Sequence, residues 1–348
     1  MRYTKVCIEA LSHFLPDQVV PSALIEHWLR PLYQRLRLPE GRLELMTGIR
    51  ERRLWPPGMR PSEAAAKAGL RALEQAGIPP GEVDCLLHCA VSRDFVEPAT
   101  ATSVHRLLGL PQKAVNFDIS NACLGVLSGI FVAANMIQLG QASCALVVAA
   151  EDARPLVENT VRFLCQSKSL TRRQIKPYFA SLTIGSAAAA VVLTHCRRSA
   201  GGHRLLGGAW ASDTRFNHLC QGDHVSTPEQ TGAPMMQTDA EELLNRGLDV
   251  ARTTWSAFKQ ELGWSDTTPA VVCTHQVGRV HRRRFYEEVG LDPARDFSTY
   301  EFLGNCGAAS LPVTAALAVE RGRIRPGEQL ALLGIGSGIN CMMLGVEW

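Results

Sequence analysis

A layered α/β fold with an internal duplication is what this sequence predicts, and three observations predict it. Short apolar runs of strand length alternate with segments of helical period along the chain. The order of these elements is the same in the two halves. In each half a stretch of small residues, NACLG (121–125) and GNCGAAS (304–310), stands where a strand hands over to an apolar helix.

The elements follow in order. The opening MRYTKVCIEAL alternates as a strand does. SEAAAKAGLRALEQAGI (62–78) is amphipathic at helical period, with Ser62 suited to its N-cap and Gly77 near its end. VDCLLHCAV (83–91) reads as a buried strand with Cys85 and Cys89 on one face, and AVNFDIS (114–120) as another strand. Residues 121–140 form a helix too apolar all round to lie on a surface. SCALVVAAED (143–152) and SAAAAVVL (186–193) have the length of core strands. The second half repeats the order: a helix over 240–262, a strand PAVVCTHQV (269–277), a strand near FSTYEFL (297–303), a small-residue turn and helix over 304–322, and a strand QLALLGIGSG (329–338). Residues 153–182 and 211–239 break the repeat and read as insertions, the usual place for lids and binding loops. The halves are 1–200, with a cap insertion at about 153–182, and 201–348, related by a pseudo-twofold axis.

Composition narrows the function. The chain has 348 residues, 46% of them hydrophobic, which suffices for one large core or two fused ones. A net charge of +3 with 20% charged residues demands neither nucleic acid nor an anionic membrane as partner. No apolar run reaches the roughly 18 residues of a spanning helix, and the N-terminus lacks the apolar core and cleavage site of a signal peptide. The cysteines, 11 in all, are scattered without a CxxC pair. That pattern favours a reduced, cytoplasmic setting over a disulfide scaffold, with most thiols serving as small buried apolar groups.

Cys123 differs from the others by position. A duplication brings its equivalent turns together at the axis, so Cys123 and Asn305, both at helix starts, face one cleft, and His275 at the end of its strand reaches the same region. A helix N-terminus favours a thiolate through its partial positive charge and free amides. Ala122 and Gly125 leave room for an acyl group beside the sulfur. A neutral His275 and the Asn305 amide each offer an N–H to an enolate oxygen, each donor worth roughly 10²–10³ in rate. This set suits carbon–carbon bond formation at a thioester. On spacing alone, a structural histidine and a helix-capping asparagine remain equally open readings.

NACLG, HQV followed by GNCGAAS, and the C-terminal GIGSGINC together resemble the thiolase superfamily and, within it, the ketoacyl synthase III group with its Cys–His–Asn triad. The resemblance runs from TGIRERR (47–53) to Trp348. It implies a five-layered αβαβα fold, duplicated within the chain and assembled as a homodimer. VSRDFVEPATATSVH (91–105), TRFNHLCQGD (214–223) and LLGIGSGINC (332–341) resemble more closely the OleA-type acyl-CoA condensing enzymes of bacterial long-chain hydrocarbon synthesis. In that group a glutamate of the EPxTA stretch enters the partner subunit's site as base, and the matching residue is Glu97. Removing an α-proton from an unactivated thioester needs such a base, close by and partly desolvated.

The implied reaction is a non-decarboxylative, head-to-head Claisen condensation of two fatty acyl-CoAs. Cys123 is acylated, Glu97 deprotonates the second substrate, and His275 with Asn305 holds the enolate. Amides of Cys123 and Ser337 form the oxyanion hole. The product is a 2-alkyl-3-oxoacyl chain released as the β-keto acid, with no metal or redox cofactor. The 153–182 insertion and the helix after Cys123 are expected to line apolar channels for the alkyl chains. Three departures from the ketoacyl synthase III pattern stand out. GRLELM (41–46) supplies neither the arginine nor the tryptophan at the places where they contact CoA, and QVGRVH (276–281) lacks the QAN of carrier-dependent relatives. The basic run RVHRRRF (279–285) reads as a solvated helix face, or as a contact for CoA phosphates or an acidic carrier protein. The alternatives are a decarboxylative 3-oxoacyl synthase III using malonyl-carrier protein, an acyl transfer to oxygen or nitrogen, and a non-catalytic heterodimer partner that only donates Glu97.

Overall fold

The structure, a computed structural model, describes residues 1–227 and 230–348, with the backbone alone considered over 224–233. Within the 211–239 insertion, residues 228 and 229 therefore lie outside the described residues. Nine strands form one sheet: β1 (Val6–Phe14), β2 (Cys85–His88), β3 (Val115–Asp118), β4 (Cys144–Glu151), β5 (Ala187–His195), β6 (His203–Ser212), β7 (Val271–Thr274), β8 (Gln329–Gly336) and β9 (Asn340–Glu347), in the order β7-β8-β9-β6-β1-β5-β4-β2-β3.

The pairing pattern repeats. β1 runs antiparallel to β5 and β5 to β4, after which β4, β2 and β3 are parallel. In the same way β6 runs antiparallel to β9 and β9 to β8, and β8 is parallel to β7. The two sets join where Cys7 and Ile8 of β1 pair with Arg204 and His203 of β6. The strand expected near FSTYEFL does not form. Beyond β7 there is a single parallel bridge, Val272 to Asp296, and Tyr300–Leu303 is a helical turn. The buried Gln276 side chain explains this, because its Oε1 accepts the Thr299 and Tyr300 amides at 2.8 and 3.1 Å and turns the chain out of extension.

Helix Pro61–Ala76 covers β1, β4 and β5 on one outer face, and helix Ala240–Leu262 covers β6 and β9 on the other. Helices Gly125–Gln138 and Ser310–Glu320 lie in the central core with both sets of strands, completing five layers. Helix Pro61–Ala76 begins two residues earlier than an N-cap at Ser62 would set it, with Arg60 at the N-cap. Pro61 takes the first helical position and Glu63 reaches back to the Arg60 amide, while Gly77 ends it in a left-handed conformation.

The 153–182 insertion is not a free lid. Its helix Arg154–Gln166 and the 3-10 segment Lys176–Thr183 pack through Val157, Leu164 and Leu182 on Val20, Ile25, Leu29 and Leu32, making a fourth core over one end of the sheet. The thiols are not all reduced either. Cys7 and Cys196 form a disulfide with their Cα atoms 5.2 Å apart. Antiparallel pairing of β1 with β5 sets Val6 opposite His195 and so brings the two cysteines together, a proximity that linear spacing does not reveal. Among the described residues, no helix is long and apolar enough to cross a membrane.

Candidate active site

Cys123 is the middle residue of the 3-10 turn Ala122–Leu124, which leads directly into the central helix Gly125–Gln138. Ala122 is left-handed at φ +44°, a conformation that costs a non-glycine residue roughly 1–2 kcal/mol. The helix sits close because Gly125 has no side chain. A Cβ there would lie 2.0 Å from the Cys89 carbonyl oxygen and 3.3 Å from the Ala308 Cβ. A Cβ on Gly336, at the end of β8, would lie 3.6 Å from the Cys123 amide nitrogen. The Cys123 amide is turned toward its own sulfur, and among the described residues the Ser337 amide donates no backbone hydrogen bond.

The Cys123 thiol does not rest as a helix-stabilised thiolate. Burial pushes it up to about 12, and Cys220 and Glu151 add to the rise, while its own amide lowers it only partly. The helix terminus is thus outweighed by desolvation, and the unacylated sulfur is a thiol near neutral pH.

His275 follows β7, and its amide donates to the Leu333 carbonyl of β8 at 3.0 Å. Burial, with His281 beside it, lowers its imidazole to about 4, so the ring is neutral near pH 7. Its Nδ1 is buried without a partner, and the tautomer with the proton on Nε2 leaves no unpaired N–H there. Asn305 is fixed on both sides by the end of the cap: its amide donates to the Thr183 carbonyl at 3.0 Å, and its carbonyl accepts from Gly185 at 2.9 Å. Its Oδ1 accepts the Gly307 amide at 3.0 Å and the Ser310 hydroxyl at 3.4 Å, which leaves the Nδ2 hydrogens as the unused donors. The fold therefore brings three distant segments together. The Cys123 turn rests on the end of β8, His275 is tied to β8, and the Asn305 turn abuts the Cys123 turn through Ala308 and Gly125.

Glu97 stands apart from them. It lies exposed in the loop between β2 and helix Thr100–Leu108, next to Val96, which is 94% exposed. Asp118 anchors one end of that loop by accepting the Thr100 and Ala101 amides at 2.9 and 2.8 Å.

Sequence reasoning missed Glu151, the last residue of β4. It is buried and accepts hydrogen bonds from Val91, Ser92 and Ala308. A carboxylate closing the otherwise apolar strand CALVVAAE was the available signal.

Residues 47–175 match the N-terminal domain of thiolase, and residues 260–348 match the C-terminal region of 3-oxoacyl-[acyl-carrier-protein] synthase III. The full chain is 41% identical to the full length of an acyl-CoA:acyl-CoA alkyltransferase of Shewanella oneidensis. The chain belongs to the acyl-CoA:acyl-CoA alkyltransferase family. A second alkyltransferase, from Xanthomonas campestris, is 36% identical over the full length of both chains. A cysteine-to-alanine variant of Xanthomonas campestris OleA has the same fold, with a TM-score of 0.94 and 35% identity over all of this chain and 98% of that one. Another crystal structure of this family member, a cysteine-to-serine variant, carries lauric acid and lauroyl-CoA. Others are variants at one histidine and one glutamate, and that glutamate precedes the substituted cysteine by the same interval that separates Glu97 from Cys123.

Proposed function

We propose that this chain joins two fatty acyl-CoAs head to head by a non-decarboxylative Claisen condensation. What supports the reading is that the Cys123 turn and His275 both lie against β8 while the Asn305 turn abuts the Cys123 turn, with an imidazole on His275 kept neutral by burial.

In this scheme Cys123 Sγ gives up its proton and attacks the first thioester carbonyl. The carbon–sulfur bond to CoA breaks, and the proton lost by Cys123 ends on the departing CoA sulfur. The Cys123 and Ser337 amides hold the tetrahedral oxygen. Glu97 then removes the α-proton of the second acyl-CoA, and the N–H groups of His275 and Asn305 hold the enolate oxygen. The α-carbon attacks the Cys123 thioester, the bond to Sγ breaks, Sγ takes up the proton that Glu97 removed, and the 2-alkyl-3-oxoacyl-CoA is hydrolysed by water to the β-keto acid and free CoA. No metal or redox cofactor enters. Residues 1–200 and 201–348 act as the two repeats, one supplying the thiol and the other the two donors, with 153–182 as the cap.

Glu97 acts across a homodimer in this reading. Its exposure in the isolated chain supports that role, as does the apolar surface around it. Val91, Phe95 and Val96 are exposed on its loop, and Val115 and Phe117 are exposed on β3, the unpaired edge of the sheet. Such an edge and patch are what a second protomer would cover.

The test is incubation with myristoyl-CoA alone, with products identified by mass spectrometry. A C28 2-alkyl-3-oxo acid or its decarboxylated ketone is expected, and Glu97→Ala should abolish it while the acyl-enzyme still forms. Condensation that needs malonyl-carrier protein and survives Glu97→Ala would overturn the reading in favour of decarboxylative synthesis.

A further inference from the structure

Glu151 is 5% exposed, and a carboxylate so deeply buried persists only when its oxygens are saturated. Among the described residues no lysine, arginine or histidine makes an ion pair with it. Four donors from two distant segments saturate it instead. Oε1 accepts the Val91 amide at 3.0 Å and the Ala308 amide at 3.1 Å. Oε2 accepts the Ser92 amide at 3.0 Å and the Ser92 hydroxyl at 2.8 Å. Val91 and Ser92 begin the loop that carries Glu97, and Ala308 lies in the turn whose preceding amide, Gly307, donates to Asn305 Oδ1. Gly307 is pressed so close that a Cβ there would stand 2.9 Å from Oε1.

We propose that Glu151 is a positioning residue that clamps the Glu97 loop and the Asn305 turn to one carboxylate beside Cys123, so that enolate formation depends on it far more than acylation does. The inference rests on the condensation reading given above. Because Glu97 serves the partner's site in that reading, the same carboxylate ties each protomer's own site to the arm it lends. Its charge also bears on the sulfur. Glu151 is one of the groups that hold the Cys123 thiol protonated, so removing the charge eases ionisation.

Glu151→Gln keeps the shape and one acceptor oxygen but loses the charge and the acceptor facing the Ser92 amide. Ser92→Ala removes one donor and leaves the charge. Three quantities separate the outcomes: burst release of CoA from one acyl-CoA, the rate of condensed product, and the pH profile of iodoacetamide alkylation read on the Cys123 peptide. For Glu151→Gln, condensation should fall about tenfold or more while the burst changes less than about threefold, the size expected when a buried charged acceptor is lost. The alkylation midpoint should move to lower pH. Ser92→Ala should lower condensation about threefold, through a neutral hydrogen bond, with the alkylation profile unmoved. Equal losses in burst and condensation, or no loss of condensation, would overturn the proposal. Should Glu151→Gln fail to fold, Ser92→Ala decides alone, and an unchanged ratio of condensation to burst overturns it. Should the wild type acylate without condensing, the functional reading falls. The alkylation profile then decides the link between Glu151 and Cys123, with an unmoved midpoint rejecting it.

Discussion

Ala122–Leu124 and Gly307–Ala309 are both single 3-10 turns that run directly into a buried central helix, and both begin with a left-handed residue, Ala122 at φ +44° and Gly307 at φ +53°. A cysteine lies in or beside each. Cys306, just before the second turn, is 1% exposed; its amide donates to the Ser310 hydroxyl at 2.7 Å and its Sγ to the Leu303 carbonyl at 3.4 Å. Cys123, inside the first turn, is half-buried, and its amide is turned toward its own sulfur. Burial raises both thiols, with Glu151 adding to each. The environments therefore do not differ by a lowered pKa. They differ in access and in where the cysteine amide points: at Cys306 it is taken by the Ser310 hydroxyl, and at Cys123 it faces the sulfur.

The largest effect that could break this comparison is a swap of roles between the two thiols. Cys123→Ala should remove the acyl-enzyme and lower condensation by roughly 10⁴-fold or more, the scale seen when a nucleophile is deleted. Cys306→Ala should leave the acyl-enzyme intact and cost about 1 kcal/mol of stability for the small cavity left in the core. Intact-protein mass spectra after mixing with one acyl-CoA read both. An acyl adduct on Cys306 would show that access does not select the nucleophile.

A smaller effect tests the closed turn. Gly307 is needed on two counts, its left-handed φ and the Glu151 oxygen 2.9 Å from where a Cβ would stand. Gly307→Ala should lower stability by about 1–3 kcal/mol, seen as a lower denaturant midpoint. Condensation should fall as well, because the Gly307 amide orients Asn305 Oδ1. A variant of wild-type stability would mean that the turn is looser than its contacts indicate.

Both turns were legible in the sequence because a run of small residues opening an apolar helix has few other uses, although a helical turn and not a strand precedes the second. The helix over 240–262 was equally plain, and the structure forms it over Ala240–Leu262. What escaped depended on side chains reaching across the fold. The strand near FSTYEFL has the right residue types, but Gln276, more than 20 positions earlier, captures its amides, and no local pattern encodes that. Glu151 was passed over because a single acid at the end of an apolar strand looks like a strand boundary until its four donors are seen in space. The depressed pKa expected for Cys123 failed for a related reason. A helix start can be read from the sequence, whereas the depth at which the fold buries it cannot, and depth decided the sign.

The smallest effect sharpens the comparison most, because it asks whether the two left-handed positions are the same kind of site. At Ala122 the side chain is tolerated against a left-handed penalty of roughly 1–2 kcal/mol. Replacing it with glycine removes that penalty but enlarges the unfolded ensemble, an opposing change of about 0.5–1 kcal/mol. The balance favours the variant, so Ala122→Gly should raise the denaturant midpoint slightly, by the equivalent of about 0.5 kcal/mol. Acylation should slow about twofold, because a freer Ala122 position holds the Cys123 amide less firmly toward the oxyanion. Opposite signs for Ala122→Gly and Gly307→Ala would establish that one backbone serves both turns, with strain kept at the nucleophile and relieved at the asparagine. A loss of stability on Ala122→Gly would mean instead that the Ala122 methyl is held by packing, and the two turns would then share a shape without sharing its cause.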